Sequence, residues 1–207
     1  MKTCGVILAG GLASRMGGGD KAMRMIAGRS LMERVVERLS GQFRPIALNA
    51  NGDAARFAEF GLPVIADSMD DRPGPLAGVL AGMDWAAGQG CSHVLTVAAD
   101  TPFYPVDLME RLGAGLSAEH NIALAATPDE TRKSGLARHP TFGLWPVDLR
   151  DDLRGALQDG VRKVVQWANP HGVRLVEFPV TPFDPFFNVN TPDDMAKAES
   201  LATEYSL

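Results

Sequence analysis

Short apolar runs rich in β-branched residues alternate along this chain with stretches whose apolar positions recur every three to four residues. Thr3 to Leu8, Pro45 to Asn49 and Pro63 to Ala66 have the strand pattern. Between the first two, Ser30-x-x-Glu33 forms a capping box that opens a helix through about Leu39, with Leu31, Val35 and Leu39 on one face and Gly41 as its stop. Asp53 to Phe60 reads as a short helix ended by Gly61. Strand, helix, strand at this spacing predicts parallel βαβ units.

The second half continues the alternation. Gly74-Pro75 opens a helix from Leu76 to Ala87, and His93 to Ala98 is a continuous apolar run expected to form a central strand buried on both faces. A helix from Val106 to Leu116 and a strand from Ile122 to Ala126 follow, then a polar connector from Pro128 to Gly135 and a returning strand from His139 to Trp145. Helical stretches at about Val147 to Gln158 and Arg162 to Ala168 precede a strand from Arg174 to Phe178. Thr191 caps a last helix with Pro192 at its first position and Asp193 and Asp194 in its first turn. No repeat or interdomain linker interrupts the pattern. The expectation is one α/β domain over residues 1–207, a mostly parallel twisted sheet with helices on both faces.

Composition narrows the function classes. With 207 residues, 45% apolar and 22% charged, the chain needs no disulfide support, and Cys4 and Cys91 lie far apart without a C-x-x-C partner. Neither a zinc site nor a disulfide is expected, which favours a reducing cytoplasm. The N-terminal apolar run is too short for a secretory leader or a membrane span, so no membrane association is expected. A net charge of −5 argues against a nucleic-acid binder. Charge is uneven, however: residues 1–38 hold Lys2, Arg15, Lys21, Arg24, Arg29, Arg34 and Arg38 against Asp20, Glu33 and Glu37, a net +4 that leaves −9 for the rest. A local positive field on an acidic protein suits a small anionic ligand.

The first strand empties into Gly10-Gly11-Leu12-Ala13-Ser14-Arg15-Met16-Gly17-Gly18-Gly19-Asp20-Lys21. Glycines let backbone N–H groups approach an anion without Cβ atoms in the way, and Arg15 and Lys21 add full charges, so the stretch has the make-up of a phosphate cradle; a plain surface turn is the alternative. It is not a Walker loop, because Ala22 follows Lys21 where a hydroxyl is needed to hold magnesium. It fits the dinucleotide fingerprint poorly, since the glycines come late and the second strand ends in Asn49-Ala50-Asn51 rather than an acid. Asp100, at the tip of the central strand, is either a helix cap or a magnesium ligand. Asn188 and Asn190 face the same way in an extended segment and offer amide oxygens to a metal or an acceptor. His139, beside Pro140 and Thr141, is a candidate acceptor contact; the four histidines form no ligand spacing.

Leu8-Ala9-Gly10-Gly11-x-x-x-Arg15-Met16-Gly17-Gly18-x-Asp20-Lys21 resembles the signature loop of nucleotidyltransferases with a Rossmann-like domain, and its double glycine resembles in particular the molybdenum cofactor guanylyltransferase (MobA) family. Arg72-Pro73-Gly74-Pro75-Leu76-Ala77-Gly78, Ala99-Asp100-Thr101-Pro102 and Asn188-Val189-Asn190-Thr191-Pro192 match the same family in the same order, so the resemblance runs from residue 6 to 192. It implies transfer of GMP from GTP to molybdopterin carrying molybdenum, with release of pyrophosphate. It also implies Mg²⁺ on Asp100, catalytic roles for Arg15, Lys21 and Asp100, and nucleotide contacts from Leu8, Ala9, Gly10, Gly11, Lys21, Asn49, Asp67, Gly74, Pro75, Leu76, Gly78 and Asp100. Acceptor contacts would fall to His139, Asn188 and Asn190, and cofactor-delivery proteins would be met in passing.

Read from the residues alone, Asn49 is equally a turn residue and Asp67 a solvated loop acid. The chemistry asks for no general base, because a phosphate monoester is already largely ionised at neutral pH, with a second pKa near ~6. A cytidylyltransferase or sugar-phosphate nucleotidyltransferase would use the same loop, and a non-enzymatic GTP-binding module is a reading of a different class.

Overall fold

The structure is a computed structural model that describes residues 1–10, 21–69 and 74–207. Its centre is a seven-stranded sheet made of β1 (Thr3–Leu8), β4 (Ile46–Asn49), β5 (Val64–Ile65), β6 (His93–Ala98), β7 (Ile122–Pro128), β8 (Leu136–Pro146) and β9 (Val173–Glu177), in the order β5-β4-β1-β6-β8-β7-β9. β1 pairs parallel with β4 and β6, β4 with β5, and β7 with β9; β8 runs antiparallel between β6 and β7. A hairpin of β2 (Met25–Ile26) and β3 (Arg29–Ser30) stands apart from the sheet.

Alternation along the strands builds two core layers. Val6 and Val94 face one side, where α2 (Pro75–Gly88), α4 (Arg150–Gln158) and α5 (Val164–Ala168) contribute Leu76, Leu80, Leu153 and Trp167. Ile7, Leu95 and Val97 face the other, against Val35 and Leu39 of α1 (Leu31–Ser40) and Leu108 and Leu112 of α3 (Leu108–Ala114). α2 is apolar nearly all round because it is enclosed between the sheet and α4. A third cluster joins Ile26 and Leu31 to Phe103, Val189 and Ala198 of α6 (Pro192–Glu204), which clamps the C-terminal helix over the hairpin. The expected single α/β domain, with helices on both faces, is the fold observed.

Several elements differ from expectation. The hairpin was not anticipated because its turn places Ala27 and Gly28 at positive φ (47° and 76°), and alanine is not a residue that announces such a turn. Ala54–Phe60 is a 3₁₀ helix, capped by Asp53 and closed by left-handed Gly61. Helix α3 starts late, at Leu108, after the segment 103–107 has been pulled along α1 by Tyr104, whose hydroxyl donates to the Val35 carbonyl (3.0 Å).

The expectation about cysteine is corrected. Cys4 and Cys91 form a disulfide spanning 87 residues of sequence, with Cα atoms 6.2 Å apart. Sequence distance misleads here: β1 and β6 are paired neighbours with Cys4 opposite Val94, so Cys91, just ahead of β6, returns beside Cys4.

Candidate active site

The parallel pairing of β1 with β4 and β6 sets Leu8 opposite both Asn49 and Ala98 at the carboxyl edge of the sheet. Beyond the strand ends, Ala9 N–H donates to the Asn49 carbonyl (2.8 Å) and Ala99 N–H to the Leu8 carbonyl (3.1 Å), so three loops leave one edge together. Open α/β sheets bind ligands at such an edge. Gly10 sits there exposed, and among the described residues no atom lies within 4 Å of where its Cβ would be.

Lys21 reaches back across this edge. Its ammonium donates to Asp100 Oδ2 (2.7 Å) and to Asn190 Oδ1 (2.6 Å), closing contacts over 79 and 169 residues of sequence. Asp100 is therefore not a helix cap; the next helix is preceded by Asp107. Thr101 hydroxyl contacts both Asp100 Oδ1 (3.2 Å) and Asn188 Oδ1 (2.5 Å), and Val189 N–H donates to the Asp100 carbonyl (2.9 Å). Asp194 fixes the same segment from behind, its carboxylate accepting from the N–H groups of Asn190 and Thr191 (2.9 Å each). Burial alone would raise the Asp194 carboxyl pKa, but these donors and the nearby Lys21 charge hold it below the usual range.

The other end of the site belongs to β4 and the segment after β5. Asn49, almost fully buried, donates through Nδ2 to Asp67 Oδ1 (3.0 Å) and to the Ile65 carbonyl (3.2 Å). Asn51 grips Asp67 twice, donating from Nδ2 to Oδ2 (2.7 Å) and accepting the Asp67 N–H (3.0 Å). Helix α2 approaches this network closely: a Cβ on Gly78 would lie 2.4 Å from Asn49 Oδ1 and 2.9 Å from Leu8 Cδ2. Gly74 (φ +90°) opens that helix, with Pro75 in its first turn.

Of the residues singled out in sequence, Leu8, Ala9, Gly10, Lys21, Asn49, Asp67, Gly78, Asp100, Asn188 and Asn190 gather at or beside this edge. Arg15 and Gly11 lie outside the described residues, as do Arg72 and Pro73. The Leu76 side chain is wholly buried in the core, so it offers a ligand only its main chain. His139 stands beside the acceptor side: its ring stacks on Phe186 (centroids 4.4 Å apart), two residues before Asn188, and its Nε2 lies 2.9 Å from Thr127 Oγ1. Burial lowers the His139 pKa, against the raising effect of the Asp184 charge, and so favours the neutral ring. Thr101, Asn51 and Asp194 were not singled out as site residues. Thr101 carried a signal as the neighbour of Asp100 in Ala-Asp-Thr-Pro, and Asp194 as a first-turn acid three residues after the cap Thr191; Asn51 carried none beyond its position at a strand end.

Among the described residues no group of three or more His, Cys, Asp or Glu is placed to hold a metal ion. The donors present are hard oxygens, the Asp100 carboxylate with the Asn188 and Asn190 amides, held beside the Lys21 ammonium. That set suits Mg²⁺ delivered with a polyphosphate, which supplies its remaining ligands.

The MobA-like NTP transferase domain matches residues 5–173. A molybdenum cofactor guanylyltransferase of Rhodopseudomonas palustris (strain BisB5) is 54% identical over 204 residues, covering 97% of this chain and 94% of that protein. Another, from Bradyrhizobium sp. (strain ORS 278), is 52% identical over 202 residues, covering 96% and 92%. The crystal structure of molybdopterin-guanine dinucleotide biosynthesis protein A from Archaeoglobus fulgidus shares the fold, with a TM-score of 0.71 at 24% identity over 99% of this chain and 100% of that one.

Proposed function

This chain belongs to the family of MobA-like NTP transferases, and on that premise we propose that it transfers GMP from GTP to molybdenum-bearing molybdopterin, releasing pyrophosphate. The observation that carries the reading is the meeting of Lys21, Asp100 and Asn190 at one end of the sheet edge, with a carboxylate held by two asparagines at the other. One end is built for phosphates and metal, the other for a base.

The base end favours guanine. An ionised carboxylate has about four acceptor positions on its two oxygens. Asn49 and Asn51 take one on each oxygen of Asp67, leaving acceptors for the N1–H and 2-amino group of guanine. Adenine would set its unprotonated N1 against the same carboxylate, a repulsive contact.

At the other end, Mg²⁺ held by Asp100 with the amide oxygens of Asn188 and Asn190 would supply charge neutralisation at the reacting phosphates. Lys21 swings from Asp100 to the β- and γ-phosphates, where it offsets the charge gathering on the departing pyrophosphate. Arg15, in the glycine-rich stretch of the sequence, adds a second positive charge to the same task. The acceptor phosphate, already an anion, attacks the α-phosphorus in line, so no side chain need take a proton. Asn188 and Asn190, anchored by Thr101 and Asp194, orient the acceptor, and neutral His139 adds a hydrogen-bonding edge without adding charge. Positioning and electrostatics then account for the rate. The reaction involves brief contacts to proteins that supply or receive the cofactor. The Cys4–Cys91 bond is buried and takes no part.

The test is pyrophosphate release in the presence of molybdenum-loaded molybdopterin and Mg²⁺, with GTP, CTP and ATP compared at equal concentration. Release with GTP in large excess over the other two is expected. Preference for CTP, or no release with any nucleotide, would overturn the assignment.

A further inference from the structure

The transfer site uses only part of the positive charge concentrated in residues 1–38. Three arginines of that segment gather elsewhere. Arg29 opens strand β3 of the hairpin and Arg34 and Arg38 stand one turn apart on α1; together with Glu37, Gln42 and Leu207 they border a cavity of about 260 Å³. None of the transfer-site residues lines it.

Among the described residues, the carboxylates of Glu33, Glu37 and Glu199 act on these charges. Arg34 is 3% exposed, and its Nη2 donates to the Ile26 carbonyl (2.6 Å) and its Nη1 to a main-chain oxygen of Leu207 (2.7 Å). Its Nε is buried without a hydrogen-bond partner among the described residues. Arg38 donates through Nη1 to the Tyr104 carbonyl (3.0 Å). Glu37 is the carboxylate at the rim, paired with Arg29 at 2.8 Å where both side chains are well exposed and screened by water. Glu199 acts on Arg34 through space while its carboxylate accepts the Ala27 N–H (2.7 Å). Burial lowers the Arg34 pKa, reinforced by the Arg29 and Arg38 charges, and burial does the same to Arg38. Arginine does not lose its proton at physiological pH, so what the fold keeps is a partly desolvated group of three guanidinium cations beside an open space, offset in part by the carboxylates around them.

We propose that this cavity is a binding site for a small phosphate-bearing anion, separate from the transfer site. Guanidinium forks match phosphate oxygens in geometry as well as in charge. A tetrahedral phosphate presents oxygens in several directions and so can address the accessible Arg29 and Arg38 guanidinium groups together. The small volume of the cavity and the overall acidity of the chain argue against a nucleic-acid strand. Pyrophosphate, the leaving group of the transfer reaction, has the size and charge for the cavity. Because Arg34 ties the hairpin, α1 and Leu207 together, an anion here also stabilises the fold by mass action.

The test is calorimetric titration with inorganic phosphate and with pyrophosphate, read beside thermal denaturation, on the wild type, Lys21→Ala, Arg38→Met and Arg29→Met. Lys21→Ala removes the transfer-site contact, so saturable binding and a raised Tm that persist in it are expected. Arg38→Met should weaken that binding by roughly tenfold or more, the usual loss for a charge-assisted contact. Should Arg38→Met fail to fold, Arg29→Met, altered at an exposed position, carries the same expectation, and Arg38→Lys should recover part of the affinity. Binding abolished by Lys21→Ala but intact in Arg38→Met and Arg29→Met, or absent from the wild type, would overturn the proposal.

Discussion

At Gly78 a missing methyl group decides how closely α2 approaches the ends of β1 and β4. With a Cβ only 2.4 Å from Asn49 Oδ1, Gly78→Ala must displace the asparagine that orients Asp67. The KM for GTP is expected to rise roughly tenfold, the scale of one lost polar contact, while circular dichroism stays native; an unchanged KM would separate Gly78 from the base site. Lys21→Ala and Asp100→Ala act at the other end, and each should lower kcat by about 10²–10³, the usual loss for an electrostatic group at a transition state. Steady-state kinetics on folded variants checks this.

Most of these residues were legible because each stands at a strand end or in a short motif, where backbone position alone assigns a side chain to the edge. Thr101 and Asn51 were not legible as site residues, because they act through contacts with Asn188 and Asp67, far away in sequence.

Helix α1 carries its own start signal. Ser30 accepts the Glu33 N–H (3.0 Å) and Glu33 answers by accepting the Ser30 N–H (2.5 Å). Ser30→Ala should destabilise the protein by about 1 kcal/mol, lowering Tm by roughly 2–4 °C for a chain of this size. The Ser30 backbone and side-chain hydrogen bonds hold the Glu33 pKa below its ordinary 4.5. The ionised form is thus favoured by folding, and its contribution is present above pH 4.5 and fades as pH falls through the lowered folded value. The Tm difference between the wild type and Glu33→Gln should therefore narrow on acidification, and a gap that widens would contradict the assignment. The capping box at Ser30 was readable because its partners lie three residues apart, and Thr191 was readable as a cap although its box with Asp194 emerges only in the structure. The β2–β3 hairpin was not, because two-residue strands carry almost no periodicity and its turn uses Ala27.

On the scale of the whole molecule, strand pairing turns distances in sequence into neighbours in space. The pairing of β1 with β6 brings Cys4 to Cys91 as surely as it brings Lys21 towards Asp100, and only the second meeting was anticipated, because a motif marked it. Thiol titration of the unfolded chain should find no free thiol before reduction and two after. A Cys4→Ala, Cys91→Ala double variant should lose roughly 3–5 kcal/mol, as expected for a link closing a long loop. Two reactive thiols in the unreduced protein would contradict the bond.

The central claim is that one sheet edge moves the α-phosphate of GTP onto a molybdopterin phosphate. Its most direct test is a single-turnover reaction with GTP labelled at the α-phosphate, run with molybdenum-loaded molybdopterin and Mg²⁺. The account predicts the label in a molybdopterin guanine dinucleotide, with unlabelled pyrophosphate released in equal amount and both lost in Asp100→Ala. Label remaining in GTP, or appearing as free GMP with no acceptor product, would contradict it.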